Sequence, residues 1–292
     1  MSKIFEDWKH RDASQNEKRY FEFDGGYATP IFKVNSIHAL NTLVGYCKHV
    51  YQNEGNIYFR GQTAQYGSMK PSLLRGVNTY KSLSKRKEKL NSLIEQAQNN
   101  MRILANMDRK LVSPLLQHYG IHTDWLDLVD NLWVALWFSI HEYIILDKRY
   151  EHVKRIDEPG KPTYLYLMLS DAVDRHTKIP GYYKGEVSEV VDLRKAAPSV
   201  FLRPHNQHAI LLRKRNVNTP ESTEMAEMVK LIVELDSHLV MEWLGLGRLV
   251  TVENIYPSPV YDQGYSILLR DCIADPHDGI GCITWISNEA FI

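Results

Sequence analysis

Cysteine is scarce in this chain of 292 residues: Cys47, Cys272 and Cys282 are the full set, an odd number with no CxxC spacing. That argues against a disulfide framework and a thiolate zinc site, and leaves three buried or incidental thiols. An excess of one charge is also missing. Lys plus Arg and Asp plus Glu number 35 each, so no overall field draws the chain to nucleic acid or an anionic membrane, and any anion recognition must be local. No apolar run approaches the roughly 18 to 20 residues that cross a bilayer, and the charged N-terminal stretch has no hydrophobic signal core, so a cytoplasmic protein is expected. The GxxxxGK(S/T) phosphate loop, the GxGxxG turn, HExxH and the GxSxG elbow are all absent, which sets aside the commonest nucleotide-hydrolase, Rossmann, zinc-protease and serine-hydrolase readings.

What is present is an apolar fraction of 44 %, enough to bury a real core in one large domain or two modest ones. Residues 1–34 read as an extended arm or short hairpin around Gly25-Gly26. Ile37, Leu40, Leu43, Val44 and Cys47 recur at helical spacing behind Asn35 or Ser36 as N-cap, predicting a helix to about Tyr51. After turn chemistry at 53–56, Ile57–Arg60 reads as a short strand that Gly61 stops. Helices are predicted over 80–107, over Leu111–Tyr119 with Gly120 as the stop, and from Asn131 behind Asp130 as cap, with Trp133, Leu136, Trp137, Ile140 and Ile144 on one face. Glu151–Pro162 reads as a polar linker. Thr163–Leu169, His208–Leu212, Val229–Leu235 and Tyr265–Leu269 are strand candidates, and His238–Leu246 a short helix. This order predicts an α+β chain, a mixed or antiparallel sheet core with helices.

Two stretches concentrate chemistry: Phe59-Arg60-Gly61, and the tract from Gln117 to Asp127, where polar and ionisable side chains crowd between apolar runs and each would need a partner if buried. His118 and His122 have the four-residue spacing of helical metal ligands, but Gly120 between them interrupts the helix. His118 as base with Asp127 as its orienter has the residue types of a hydrolase, without an obvious Ser or Cys nucleophile. Each residue also has a plain structural reading. Arg60 can pair with Asp127 or Asp124 beneath the loop, Asp127 can cap a helix, His118 can be a satisfied core histidine, Thr123 can close a turn, and Arg75 can cap a helix C-terminus.

The ordered motifs resemble the FRG domain family of bacteria and phages. They are Tyr58-Phe59-Arg60-Gly61-Gln62, Lys70-Pro71-Ser72-Leu73-Leu74-Arg75, Gln117-His118-Tyr119-Gly120 with Thr123, Leu126-Asp127 and Asn131, then Val134–Phe138, and finally Arg203 to Gln207 and Tyr256-Pro257. The resemblance implies a division into an N-terminal arm and helix packed on the core (1–54), the FRG domain (55–260), and C-terminal strands completing the same domain (261–292). Two departures stand out. Asp124 and Val129 replace an arginine and a hydroxyl residue usual in the family, and Ala209 replaces a glycine after Gln207.

The element order is in turn similar to that of ADP-ribosyltransferases, with Arg60 on an early strand, the Thr123–Asp127 loop before the Val134–Phe138 helix, and a later strand opened by Gln207. That similarity implies an ADP-ribosyltransferase-like fold, NAD as substrate with no metal, and an acceptor of unknown class. The site would comprise Asp127, His118 and Gln207 as catalytic residues. Arg60, Gln62, Arg75, Tyr119, Thr123 and Arg203 would hold the dinucleotide, the arginines through their planar donor forks. A toxin or phage-defence setting is implied as well. Gln207-His208-Ala209 offers no carboxylate where such transferases usually place glutamate, so a non-catalytic nucleotide- or partner-recognition module is the alternative.

Overall fold

The computed structural model describes residues 8–14, 20–147, 150–156, 158–172, 177–272 and 279–287. The first elements are β1 (Ala13–Ser14), β2 (Tyr20–Glu22), β3 (Ala28–Val34), α1 (Ile37–Val50) and β4 (Asn56–Gln62). A helical stretch follows, α2 (Tyr80–Asn100), α3 (Arg102–Ala105) and α4 (Arg109–Gln117), before β5 (Leu126–Val129), α5 (Leu132–Ser139), β6 (His141–Asp147) and β7 (Tyr150–Arg155). Next come β8 (Pro162–Ser170), β9 (Tyr182–Lys184), β10 (Ser188–Asp192), α6 (Leu193–Ala196), α7 (Leu202–Asn206), β11 (Ala209–Lys214) and β12 (Val229–Asp236). Finally come α8 (Ser237–Trp243), α9 (Val252–Ile255), α10 (Gln263–Asp271) and β13 (Trp285–Ser287).

The fold is α+β. Ten strands form one mixed sheet, in the order β1-β3-β12-β8-β4-β5-β11-β10-β9 with β2 added on β3; β13-β7-β6 form a smaller one. Only β12 with β3 is parallel within the described pairs of the large sheet. Alternation along β8 explains why both faces are covered: Leu165 and Leu167 join α1 and α5 in one apolar cluster, while Tyr166 and Met168 face another with Ile210 and Ile232. A third cluster joins α2 and α4 to β10, β11 and α10. Burial on both faces makes these strands nearly continuous apolar runs.

One irregularity positions the site. β4 pairs with β8 along its whole length, Asn56 with Ser170 through Gln62 with Tyr164, but it meets β5 at a single position, Phe59 with Val129. Beyond that pair the two strands part, and the residues on both sides of the gap line a cleft.

Several elements differ from their sequence reading. Gly61 does not stop β4: it pairs with Leu165, and a Cβ there would lie 1.9 Å from the Ala135 carbonyl oxygen, so its missing side chain lets α5 seat against the strand. The long helix ends at Asn100, with α3 a separate turn after Met101. Asn131, not Asp130, caps α5 through bonds from the Trp133 and Val134 amides at 2.9 and 3.3 Å, and the helix ends before Ile144, which lies on β6. The expected linker overlaps β7, which runs from Tyr150 to Arg155. Tyr265–Leu269 is helical, because the Asp262 carboxylate accepts from the Tyr265 amide at 2.9 Å and starts α10; among the described residues after 261, β13 is the only strand. Ser36 does cap α1, and β8, β12 and α8 fall where expected. The Gly25-Gly26 turn joins β2 to β3, as the hairpin reading anticipates.

Candidate functional site

The cleft has a volume of about 810 Å³ and draws its walls from β4, the loop after it, the end of α4, β5, β6 and α7. This lies within the roughly 300 to 1,000 Å³ typical of small-molecule sites. Of the residues singled out in the sequence, Arg60, Gln62, Arg75, His118, Asp127, Arg203 and Gln207 line it; Tyr119 and Thr123 do not.

Arg60 reaches across the gap between β4 and β5, donating from Nη1 to the Asp127 carbonyl oxygen at 2.7 Å, while its Nε is buried without a partner. It does not pair with Asp124, whose carboxylate meets Arg213 at 3.3 Å. Burial draws the Arg60 guanidinium down from its usual range, against the opposing pull of Asp127. Gln62 Oε1, next along the strand's rim, is also buried and unpartnered. Arg75, following the 3₁₀ turn Ser72–Leu74, is exposed on the rim with its Nε donating to the Lys70 carbonyl at 3.3 Å.

Asp127 is held by Gln117, whose Nε2 donates to Oδ2 at 2.6 Å. The Thr123 hydroxyl donates to Gln117 Oε1 and accepts from the Trp125 amide at 3.2 Å, which fixes the way round the glutamine amide lies. The second carboxylate oxygen, Oδ1, has no hydrogen-bond partner. Facing it at 3.6 Å is His118 Nε2, also unpartnered. On its other side His118 Nδ1 bonds Gln207 Oε1 at 2.9 Å, and Gln207 Nε2 donates to the Ile255 carbonyl at 3.1 Å. Gln207 Oε1 can only accept, so His118 carries its proton on Nδ1. Burial pushes the ring below the usual imidazole range, outweighing Asp127 and the Gln207 bond, and leaves it neutral at pH 7.

Arg203 and Tyr119 form the support behind His118. Arg203 is 1 % exposed, donates from Nη1 to the His118 carbonyl at 2.6 Å, and stacks over Tyr119 and Tyr265 at 4.5 and 4.4 Å. Tyr119 is fully buried, its hydroxyl donating to Asp262 at 2.8 Å. Two expected ligand contacts are therefore corrected. Tyr119 packs with its hydroxyl engaged away from the cleft, and Thr123, also fully buried, acts on Gln117. Arg203 reaches the cleft wall, but its guanidinium lies between aromatic rings.

Sequence reasoning missed two wall residues. Gln117 was visible in the motif without a role, because only the fold shows that α4 ends beside β5. Tyr66, 53 % exposed in the loop after β4, carries no local signal. His118 and His122 lie on either side of the Gly120 turn, and among the described residues no three His, Cys, Asp or Glu side chains gather as metal ligands. No helix among the described residues is long and apolar enough to cross a membrane.

No curated protein and no solved structure matches the chain. The strand bearing Arg60, the helix end bearing His118 and the strand bearing Asp127 all fall within residues 55–147, which match the model of the FRG domain, and the chain carries an FRG domain there.

Proposed function

We propose that the cleft binds an NAD-type dinucleotide and acts on its nicotinamide–ribose bond, as an ADP-ribosyltransferase or NAD glycohydrolase. The observation that supports this reading is the convergence of Arg60, Gln62, His118 and Asp127 on one cleft, each with a buried polar atom that lacks a partner. Such atoms are costly to leave unpaired, and their chemistry suits this ligand. Arg60, with Arg75 on the rim, offers planar donors to a diphosphate, Gln62 offers an acceptor to a ribose hydroxyl, and Tyr66 offers a ring face to a base. Breaking the glycosidic bond develops positive charge on the ribose, and the Asp127 carboxylate, 48 % exposed on the cleft, favours that charge electrostatically. Asp127 thus stands in for the carboxylate that Gln207-His208-Ala209 lacks.

The acceptor is a macromolecule, a small molecule or water; the balanced net charge points to no nucleic acid partner. The family resemblance suggests a cytoplasmic toxin or phage-defence setting. A non-catalytic nucleotide- or partner-recognition module is the second reading, favoured by the amide at Gln207. Purified protein mixed with NAD, with nicotinamide release and melting temperature followed together, separates them. Release that is lost in folded Asp127→Asn and Arg60→Ala variants is the expected result; stabilisation by NAD without release establishes the binding module, and neither signal removes the dinucleotide.

A further inference from the structure

Resting on that reading, we infer that His118 Nε2 and Asp127 Oδ1 form a two-acceptor seat for the attacking hydroxyl, that of water or of an alcohol on the acceptor, and that His118 receives its proton. With Nδ1–H committed to Gln207 Oε1 at 2.9 Å, Nε2 presents a lone pair, and the atom opposite it at 3.6 Å is a carboxylate oxygen. Two acceptors face each other with no hydrogen between them. The separation exceeds a hydrogen bond, so the pair does not satisfy itself, and the His118 side chain is 6 % exposed, too buried for bulk water to do so freely. A third group bearing a polar hydrogen resolves the arrangement, and it has to enter from the cleft that both residues line.

His141, in the same cleft, shows what a structural histidine looks like here. Its Nδ1 bonds the Trp137 carbonyl at 2.7 Å and its ring stacks on Trp137 at 3.7 Å.

In the reaction the hydroxyl oxygen bonds to C1′ of the nicotinamide riboside as the C1′–N bond breaks. The electron pair of that bond passes to the ring nitrogen, and neutral nicotinamide leaves. The hydroxyl proton moves to His118 Nε2, forming an imidazolium that keeps its Nδ1–H on Gln207 and faces Asp127. Proton loss to solvent restores the seat. Gln207 is a positioning residue in this scheme. The charged groups facing the ring are Asp127 on β5 and Arg203 on α7; Arg60, His122, His141 and Glu142 share the cleft.

The test combines nitrogen-15 NMR of labelled histidines in the whole protein, with His118→Gln assigning the signal, and the pH dependence of nicotinamide release from NAD. Expected are the Nδ1–H tautomer at pH 7 and an acid limb in the release rate whose midpoint matches the His118 titration. Gln207→Leu should shift both midpoints to lower pH, since the Gln207 bond favours the imidazolium, and His118→Gln should lower release by about 10²- to 10⁴-fold with NAD-induced stabilisation retained. An Nε2–H tautomer or an imidazolium at pH 7 overturns the seat whatever happens to NAD. Release that is flat through the His118 titration, or unmoved in Gln207→Leu, overturns the seat while the dinucleotide reading stands. No binding or release of NAD overturns the dinucleotide reading, and with it the proton transfer, even where the tautomer is as expected.

Discussion

Asp127 and Asp130 stand at either side of one strand end, and each gathers a histidine and an arginine, with opposite results. At Asp130 everything is paired. Arg194 donates to both its carboxylate oxygens at 3.1 and 2.6 Å and to Asp192 at 2.9 Å, while His208 lies 3.2 Å from Asp130 and 3.4 Å from the Asn131 amide. Hydrogen bonds to Asp192 and Asp130 hold the Arg194 guanidinium above its usual range, against partial burial. At Asp127, Arg60 bonds the backbone carbonyl and feels the carboxylate only through its charge, and His118 stops short of it. The same three residue types make a closed cluster in one place and an open one in the other. What marks a site is therefore the unsatisfied valence, and not the presence of Arg, His and Asp.

Breaking the closed cluster should have the largest effect on stability. Arg194→Ala removes the guanidinium that joins Asp192, whose side chain is 6 % exposed, to Asp130, leaving Asp192 the residue-194 amide and Lys195 at 4.0 Å, and should lower unfolding free energy by about 2 to 4 kcal/mol, somewhat discounted for the partial exposure of the pair. A urea midpoint unchanged from the parent would show that the paired cluster is not scaffold.

The cleft side should respond to protons. Burial pushes His141 down to about 4 and lowers His118 and His122 in the same direction. The unfolded chain, with an ordinary imidazole near 6.5, then binds more protons than the folded one, so stability should fall as pH drops from about 6.5 to about 4 and level off below, by on the order of 3 kcal/mol for His141. Melting curves across that window check the slope, and His141→Phe should flatten most of it.

Smaller effects sharpen the contrast. Thr123→Val keeps shape but removes the hydroxyl that orients Gln117, and should cost about 1 to 2 kcal/mol with a loss of release out of proportion to any change in NAD affinity. Asp127→Asn should move stability least, by about 1 kcal/mol or less, because Gln117 can still donate to an amide oxygen and Arg60 keeps its bond to the backbone carbonyl, losing only the pull of the carboxylate. Calorimetry that finds Asp127→Asn as damaging as Arg194→Ala would erase the distinction between the two clusters.

How much of this was legible in the sequence follows from the range of each interaction. Local signals read well: the Ser36 cap, the apolar runs of β8 and β12, and the motif residues Arg60, His118 and Asp127. Cap competition read less well, since Asp130 and Asn131 are adjacent and equally suited, and only Arg194, far along the chain, draws Asp130 away. β6 was hidden because Ile144 continues the apolar spacing of the helix before it, and β7 because Glu151–Arg155 has the polar composition of a linker. The Tyr265–Leu269 apolar run fits strand and helix alike until Asp262 is recognised as a cap. Tyr119 and Thr123 are neighbours of true cleft residues, and which way each points depends on the Gly120 turn and on Asp262 and Gln117, contacts that no local pattern encodes.

The single backbone pairing between β4 and β5 gives Arg60 a second identity. Between β4 and β5, one half of the large sheet, β1 through β4, is stitched to the other, β5 through β9 in spatial order, by Phe59 with Val129 and by a guanidinium that stands in for the missing rung, while Ser170 and Ser188 tie β8 to β10 at 2.8 Å. A ligand that recruits Arg60 is therefore handling a seam of the protein itself, so occupancy and the tightness of that seam are coupled, each biasing the other by the same free energy. Amide exchange at Leu128 and Val129 becomes a gauge of binding, readable without turnover and for any molecule the cleft accepts.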